Sequence, residues 1–475
     1  MRVSIASNAN LDYHDARRSP KGGRNFKAKL RGDLIQPGDA NYDEVRKLYN
    51  AMIDKRPGAI ARCVDVADVI ACVNYARKNG ILLAIRGGGH NGPGLGSCND
   101  GLVIDLSRMT GVRVNPAAKT AQVAGGSVWG DVDHATHAFG MAAASGIIST
   151  TGVGGLTLGG GIGHLSRKYG LTIDNLVEVD MVLADGSFVT ASDQQHQDLF
   201  WAVRGGGGNF GVVTSFTFRL HPVCNVTAGP MFWALEDAPD VMKRYEQFIT
   251  DAPEEINGFF TFLTVPPVPL FPPELHMRTV CGVVWCSTAD PKRTGEILKP
   301  TQDWPKPLLA GVGPMPFPAL QSLFDGLYTP GLQWYWKADF VDHLSDEAIA
   351  QHVKYGSRPP SMFSTMHLYP INGAVHRTGE RDTAFSYRST KWAEVIVGVD
   401  PDPANKEKLV EWARKYWEAV HPYSAGGAYV NFMMEEGTAR VEATYGGNYA
   451  RLRQVKAKYD PANLFRVNQN IAPLP

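Results

Sequence analysis

The stretch ILLAIRGGGHNGPGLGS, residues 81–97, places a histidine directly after three glycines. Gly87, Gly89 and Gly92 match the G-x-G-x-x-G spacing of dinucleotide-binding loops, but that fingerprint requires a helix to begin at the loop. Pro93 and Gly94 follow instead, and the chain continues into the strand-like GLVIDLS, so no helix is expected there. The stretch therefore predicts a loop between two strands, with backbone N–H groups that can cradle phosphate.

Two further glycine-rich stretches follow in the same half of the chain. They are SGIISTTGVGGLTLGGGIG, residues 145–163, and RGGGGNFGVV, residues 204–213. The last one repeats G-x-G-x-x-G but runs into a strand, and none of the three contains G-K-[ST], which excludes a Walker A loop. Each alone is compatible with a flexible turn. Three together favour an extended nucleotide-type ligand that the backbone approaches at several points.

The sequence alone leaves several roles open for His90. A lone histidine is most often a surface or hydrogen-bonded side chain, and an imidazole can also be a base, a metal ligand or a nucleophile. At the end of the glycine run, no packing partner of its own explains His90.

Composition narrows the class of protein. The 475 residues include 47 Lys and Arg and 47 Asp and Glu, a balance that argues against nucleic acid or an anionic membrane as the main partner. No apolar run is long enough to span a bilayer, and the N-terminal stretch lacks the apolar core of a secretory signal. The six cysteines show no C-x-x-C spacing. We therefore expect free thiols, no metal site and an intracellular, cytoplasmic location.

The residue pattern predicts two domains and a returning C-terminal segment. Residues 1–40 read as irregular, and helices and strands alternate over 41–222, with a hairpin turn at Asp185–Gly186. Helices are predicted for NYDEVRKLYNAM from Asn41, DVADVIACVNYARKNG up to Gly80, SVWGDVDHATHAFG and DQQHQDLFWAVRGGG, and a strand for VVTSFTFRL. Residues 223–430 are rich in aromatics and predict a sheet backed by helices, including NKEKLVEWARKYWEAV. Residues 431–475 are expected to return to the first domain.

Four motifs in order carry a family resemblance. They are RGGGHNGPG with GLVIDLS, GVGGLTLGGGIGHLSRKYGLTIDNL, DLFWAVRGGGGNFGVVTSF and YGGNYARLRQVKAKYDPANLFRVNQNIAP. Together they resemble the berberine bridge enzyme-like oxidases of the vanillyl-alcohol oxidase flavoprotein superfamily. The resemblance implies an α+β fold, with a PCMH-type FAD-binding domain of two subdomains at 1–222, to which the C-terminal segment 431–475 returns. It also implies a substrate domain at 223–430 with a large antiparallel sheet backed by helices.

The resemblance also assigns residues to the cofactor FAD. It implies a covalent bond from His90 to the 8-methyl group of the flavin. It further implies FAD contacts from Arg86, Gly87, Gly88, Gly89, Asn91 and Gly92, from Gly146, Thr150, Thr151, Gly152, Gly154, Gly155, Gly159, Gly160, Gly161 and Gly163, from Gly208, Gly211, Val212 and Val213, and from Asn468 and Asn470.

One departure from the family pattern concerns a second flavin bond. Many members bond the flavin through a cysteine in G-x-C-x-T-x-G, and the matching stretch here is GIISTTG, with Ile148 in the cysteine position. We therefore expect the His90 bond to be the single covalent link. Thr151 stands where the family often has Val or Leu, a position linked to oxygen access, which leaves open oxidase or dehydrogenase.

The expected chemistry is removal of a hydride from a small-molecule substrate to the flavin, with O₂ as the acceptor and H₂O₂ as the product. Removing the hydroxyl proton of an alcohol needs a base. Tyr429, in a Y-x-N segment, resembles that base. Asp339 resembles a position facing the same cavity that could accept its proton, and Tyr445 is another candidate cavity residue. Alternatives for these three are core packing, and for the substrate a bulky alcohol, a sugar or an alkaloid-like amine. The oligomeric state stays open.

Overall fold

Three β-sheets organise residues 26–474, the part of the chain that the computed structural model describes. The first sheet has the order β1-β2-β4-β3, with β1 antiparallel to β2 and the other pairs parallel. Its strands are β1 (Asp33–Ile35), β2 (Ala59–Arg62), β3 (Leu83–Arg86) and β4 (Leu102–Asp105). Helices Tyr42–Val45 and Val66–Asn79 belong to this part. The glycine run 87–89 therefore follows directly on the carboxyl end of β3.

The second sheet is antiparallel, in the order β5-β6-β9-β7-β8. Its strands are β5 (Val112–Asn115), β6 (Thr120–Ala124), β7 (Leu176–Val182), β8 (Phe188–Ser192) and β9 (Val212–Arg219). Helices Trp129–His137, Val153–Gly159, Ser166–Tyr169 and Gln197–Val203 occur in the same part of the chain. The second and third glycine-rich stretches both lie beside this sheet.

The third sheet is the largest, with eight antiparallel strands among the described residues. Its order is β13-β10-β12-β11-β16-β17-β15, and β14 also pairs with β10. The strands are β10 (Asn225–Trp233), β11 (Ile256–Thr264), β12 (Thr279–Ser287), β13 (Leu309–Ala310), β14 (Gly313–Pro316), β15 (Gln333–Val341), β16 (Thr365–Pro370) and β17 (Trp392–Asp400). The accompanying helices are Ala238–Asp251, Pro291–Leu298, Phe317–Gln321, Asp346–Gly356 and Lys406–Val420, and two more, Thr438–Tyr445 and Tyr449–Tyr459, follow them.

The two faces of the third sheet have different partners because side chains alternate along a strand. Met366 and Leu368 on β16 and Ile396 on β17 belong to the core shared with the helices. Tyr369 and Val395, on the opposite face, belong to a separate core that also contains Tyr49 and Tyr429. The sheet therefore presents one face to its helices and the other to the rest of the molecule.

Most element predictions are confirmed, and three are corrected. Helix Val66–Asn79 ends at Gly80 with φ 63°, and β7 and β8 form the hairpin that turns at Asp185–Gly186. The second glycine-rich stretch contains the helix Val153–Gly159, and β1 lies in a region expected to be irregular.

The third correction concerns the predicted helix from Asn41. It covers only Tyr42–Val45, and the Asn41 side chain makes no cap hydrogen bond. The physical reason is tertiary: Tyr49 and Asn50 are drawn into contacts with the His90 loop and β15.

The domain boundaries at 222 and 430 stay a prediction. The residues on which the absence of a secretory signal was inferred, 1–23, lie outside the described range. Within residues 26–474, no helix has both the length and the apolar character needed to cross a bilayer. All six cysteines lie in this range and are unpaired.

Candidate active site

A large cavity lies between the glycine-rich stretches and the open face of the third sheet. On one side its lining comes from residues 85–91, 146–162 and 207–213 of those stretches and their neighbours. On the other side it is lined by Trp334 and Trp336 of β15, Thr365, His367 and Tyr369 of β16, and Val395 and Val397 of β17. Residues 429–432 and 468–469 complete the lining. The three glycine-rich stretches thus meet at one cavity.

The first two glycine-rich stretches touch through their backbones. A Cβ atom on Gly88 would lie 2.5 Å from the Gly152 amide nitrogen, and a Cβ on Gly152 would collide with the Gly88 amide in turn. Next to this crossing, a Cβ on Gly155 would meet no atom within 4 Å. Side chains are therefore excluded at the crossing, while the space in front of Gly155 is open.

His90 stands next to this crossing, with one face of its ring covered by Tyr49. Its imidazole stacks on the Tyr49 ring, with centroids 3.8 Å apart and planes 20° apart. Burial lowers the pKa of His90 to about 4, although its interaction with the Thr150 backbone favours the protonated form. The ring is therefore neutral at physiological pH, so one nitrogen keeps a free lone pair.

Tyr429 lines the cavity and accepts hydrogen bonds at its hydroxyl oxygen. The Gly161 N–H donates to it over 2.9 Å and the Asn431 side-chain amide over 2.7 Å. Burial raises the pKa of Tyr429 to about 12, opposed by these donors and the Ile162 backbone. The donors are those that stabilise a phenolate, yet burial keeps the group protonated at neutral pH.

Tyr445 also lines the cavity, beside the third glycine-rich stretch. Its hydroxyl is buried and makes no hydrogen bond with the described residues, and it would lie 3.7 Å from a Cβ on Gly207. Burial raises the pKa of Tyr445 above its ordinary value. A buried hydroxyl without a partner costs free energy, so this group fits a site where a bound ligand supplies an acceptor.

Sequence reasoning missed a polar pair on β16. The Nδ1 atom of His367 lies 2.5 Å from the Tyr369 hydroxyl, and both residues line the cavity. Burial lowers the pKa of His367 to about 3, so this imidazole is neutral as well. The sequence does contain a signal for this pair, because Thr365, His367 and Tyr369 alternate along the strand and so share one face. It does not show which face of the strand meets the cavity.

The cavity lining carries almost no net charge. Among its described residues, Arg86 alone belongs to the Asp, Glu, Lys and Arg group. Its guanidinium donates to the Asp105 carboxylate over 2.8 Å, and both side chains are buried. No carboxylate or ammonium group in the described lining is therefore available to a charged substrate.

Asp339 does not face this cavity, contrary to the expectation. Along β15, Trp334 and Trp336 point into the cavity, so the odd-numbered Asp339 lies on the other face. There Asp339 bonds Arg440 and accepts from His421 over 2.9 Å. Burial raises the pKa of Asp339 while Arg440 and His421 lower it. This carboxylate cannot take a proton from Tyr429 directly.

The other predicted residues divide into two groups. Those that line the cavity are Arg86, Gly87, Gly88, Gly89, His90, Asn91, Gly146, Thr151, Gly152, Gly154, Gly155, Gly208, Gly211, Val213 and Asn468, with Tyr429 and Tyr445. Those outside the lining are Gly92, Thr150, Gly159, Gly160, Gly161, Gly163, Val212 and Asn470. Several of these have packing roles. Gly92, for example, lies against Trp336 and Met434, and Gln469 lines the cavity instead of Asn470.

Known proteins and family models with similar sequences include FAD-linked enzymes and an FAD-binding domain. A family model described as "FAD binding domain" matches residues 57–192, and one described as "Berberine and berberine like" matches residues 428–472. An uncharacterized FAD-linked oxidoreductase of Bacillus subtilis is 31% identical over 458 residues, covering 94% of this chain and 98% of the relative.

The chain belongs to the berberine bridge enzyme-like FAD-linked oxidoreductases.

Its fold is the mixed α+β, PCMH-type fold of that family. The solved structure of BBE-like 1 from Physcomitrella patens superimposes with a TM-score of 0.83 at 25% identity, over 95% of this chain and 98% of that one. A third relative, (R)-6-hydroxynicotine oxidase of Paenarthrobacter nicotinovorans, is 38% identical over 206 residues, or 43% of this chain and 45% of that protein.

The residues of the cavity fit the family's cofactor, FAD. No side chain fits where Gly88 and Gly152 cross, and the space beside them at Gly155 is open, so a diphosphate could approach the backbone closely here. The orphaned Tyr445 hydroxyl lies at the same cavity. His90, neutral and held by Tyr49, faces it from the crossing.

Proposed function

We propose that this flavoprotein oxidises an uncharged, bulky alcohol and passes the electrons to O₂, forming H₂O₂. The observation that carries the proposal is the Tyr429 hydroxyl, held by N–H donors in a cavity without a free charge. When bound, FAD supplies the hydride acceptor. The aromatic side chains Trp334, Trp336 and Phe432 give the substrate an apolar wall.

Tyr429 is the proposed base for the hydroxyl proton of the substrate. The N–H donors from Gly161 and Asn431 favour its phenolate, so the tyrosine becomes a base when it loses its proton. Because burial holds the pKa near 12, the active fraction is small at neutral pH and grows with pH. We therefore expect turnover to increase toward alkaline pH.

His90 is the proposed covalent anchor of FAD. It is the side chain that follows the glycine run, and its neutral ring has a free lone pair for a bond to the flavin 8-methyl carbon. Ile148 lines the same cavity and has no sulfur, so we propose a single covalent bond. The glycine-rich stretches, with Asn468, would hold the rest of the cofactor by backbone contacts.

His90→Ala tests this anchor. The wild-type protein should keep its yellow colour after acid precipitation and fluoresce in a denaturing gel. The variant should lose all gel fluorescence while native samples still contain FAD, because the backbone contacts remain. Denaturant-resistant flavin in His90→Ala would contradict a single bond through His90.

A second candidate reaction is oxidation of a C–N bond, which the similarity to (R)-6-hydroxynicotine oxidase favours. Amines of that kind are protonated near neutral pH, and the described cavity lining offers them no free carboxylate. We therefore rank the uncharged alcohol first. A third possibility is electron transfer to an acceptor other than O₂. It is suggested by Thr151, which lines the cavity at a position that the family resemblance links to oxygen access.

Substrate charge gives a direct test of this ranking. For pairs of compounds that differ only by an added ammonium or carboxylate group, the charged member should bind about 100-fold or more weakly, because an unpaired buried charge costs several kcal/mol. Dissociation constants from the perturbed flavin spectrum would measure this. Tighter binding of the ammonium member would instead support amine oxidation.

The substrate itself can be sought by anaerobic bleaching. The purified protein is mixed under nitrogen with a library of alcohols, sugars and amines, and loss of the oxidised flavin absorbance is recorded. Uncharged alcohols with an aromatic or polycyclic body should bleach the flavin fastest. Bleaching confined to amines would overturn the proposed substrate class.

A further inference from the structure

The segment around Tyr49 clamps the loop that carries His90. The Tyr49 ring covers one face of the imidazole at 3.8 Å between centroids, and the Tyr49 N–H donates to the Gly89 carbonyl over 3.2 Å. The neighbouring Asn50 donates to the Gly92 carbonyl over 2.7 Å. The loop is thus contacted immediately before, at and after the histidine.

Tyr49 is itself fixed from the side of the third sheet. Its hydroxyl donates to the Tyr328 carbonyl, and its own carbonyl accepts from the Gly331 N–H over 3.1 Å. Asn50 both donates to the Trp334 carbonyl over 3.0 Å and accepts from the Trp334 N–H over 3.0 Å. The clamp therefore connects the glycine loop to the start of β15.

Tyr49 is not arranged as a proton-transfer group. Burial raises its pKa above the ordinary value, and its hydroxyl hydrogen is directed to a backbone carbonyl. Its ring, by contrast, is almost parallel to the imidazole. What the residue supplies to the cavity is a flat surface against which His90 rests.

We propose that Tyr49 is the positioning residue that presents His90 for covalent attachment of the flavin. The three glycines before His90 offer no side-chain wall, so the imidazole would otherwise be free to rotate. The stack fixes the ring plane while one ring nitrogen stays available. This inference rests on the proposed bond between His90 and FAD.

The bond joins a ring nitrogen to the 8-methyl carbon. The bonding nitrogen uses its free lone pair, the other ring nitrogen gives up its proton and the methyl carbon loses one hydrogen, so two protons and two electrons are released. The electrons pass to the flavin ring system and then to O₂, which takes up two protons to become H₂O₂. Tyr49 takes no part in this balance and acts only through the orientation of His90.

The test compares Tyr49→Leu with Tyr49→Phe. Proteins isolated early after induction are incubated with added FAD, and acid-stable flavin fluorescence per mole of protein is followed over time. Tyr49→Leu should form the bond about 3- to 10-fold more slowly than wild type, as expected for loss of an aromatic pair. Tyr49→Phe, which keeps the ring, should form it at close to the wild-type rate.

Phe324→Leu is the matched control, since Phe324 also lines the cavity but makes no ring contact with His90. It should show the wild-type rate, and native FAD content should be similar in all variants. An unchanged rate in Tyr49→Leu, with a wild type that does acquire acid-stable flavin, would overturn the role of Tyr49 alone. A wild type without acid-stable flavin would overturn the His90 bond itself.

Discussion

Tyr429→Phe is expected to slow anaerobic flavin reduction by about 10²- to 10⁴-fold, the range for loss of a general base. The change removes one oxygen atom and little volume, so the cavity wall should survive. The lost oxygen is the one that accepts from Gly161 and Asn431. Stopped-flow measurement of the oxidised flavin absorbance gives the rate, and the FAD content of the variant should match that of wild type.

Tyr445→Phe is the matched variant in the same cavity. Its hydroxyl has no partner among the described residues, so its removal should change the reduction rate far less than loss of the Tyr429 hydroxyl. The pH profile separates the two further. Because the pKa of Tyr429 is raised to about 12, the wild-type rate should rise with pH, and Tyr429→Phe should abolish the rise. An unchanged rate in Tyr429→Phe would remove Tyr429 from the mechanism.

Asp133→Asn is expected to stabilise the protein at alkaline pH by up to roughly 4 kcal/mol. Asp133 lies on helix Trp129–His137, is 2% exposed, and neither carboxylate oxygen has a hydrogen-bond partner among the described residues. Burial raises its pKa to about 7, with Gln321 lowering it and Asp325 raising it. The unfolded chain has a pKa of about 3.9 for this group.

The direction in which stability changes with pH follows from the raised pKa of Asp133. Below about pH 4 the carboxyl group is protonated in both states, and Asp133 costs nothing relative to asparagine. As pH rises from about 4 to 7, only the unfolded chain loses the proton, so the stability of the folded protein falls and then levels off. The side-chain amide introduced by Asp133→Asn would stay neutral throughout.

Urea unfolding at pH 5 and pH 8 measures this effect. The advantage of Asp133→Asn should be about 1 to 2 kcal/mol at pH 5 and about threefold larger at pH 8. Asp251→Asn, at an exposed site, is the control and should shift neither midpoint appreciably. Equal effects of Asp133→Asn at both pH values would show that the buried carboxyl group does not titrate as described.

The sequence was most informative where local chemistry decides the backbone. The loop after β3 was predicted because Pro93–Gly94 is a turn signal followed by a strand-like stretch, and the β7–β8 hairpin because Asp185–Gly186 suits a tight turn. The three glycine-rich stretches indicated one extended ligand. Where a ligand approaches the backbone closely, glycine is the residue that leaves enough room. In the structure, Gly88 and Gly152 cross so closely that a side chain on either residue would collide with the backbone of the other.

The sequence was less informative where tertiary contacts decide. The Tyr42–Val45 helix ends early because Tyr49 and Asn50 contact the His90 loop and β15, which no local pattern reveals. The family resemblance placed Asp339 at the cavity, and the strand pattern could not correct this, because a period of two fixes which residues share a face but not which face meets the cavity. His367 and Tyr369 were missed for the same reason.

The most direct test of the proposed function is a single anaerobic mixing experiment followed by admission of air. The wild-type protein is mixed under nitrogen with an uncharged aromatic or polycyclic alcohol from the bleaching screen, and the flavin spectrum is recorded throughout. We expect loss of the oxidised flavin absorbance under nitrogen, then its full return in air with one H₂O₂ formed per flavin. A flavin that no uncharged alcohol bleaches, or a reduced flavin that persists in air, would contradict it.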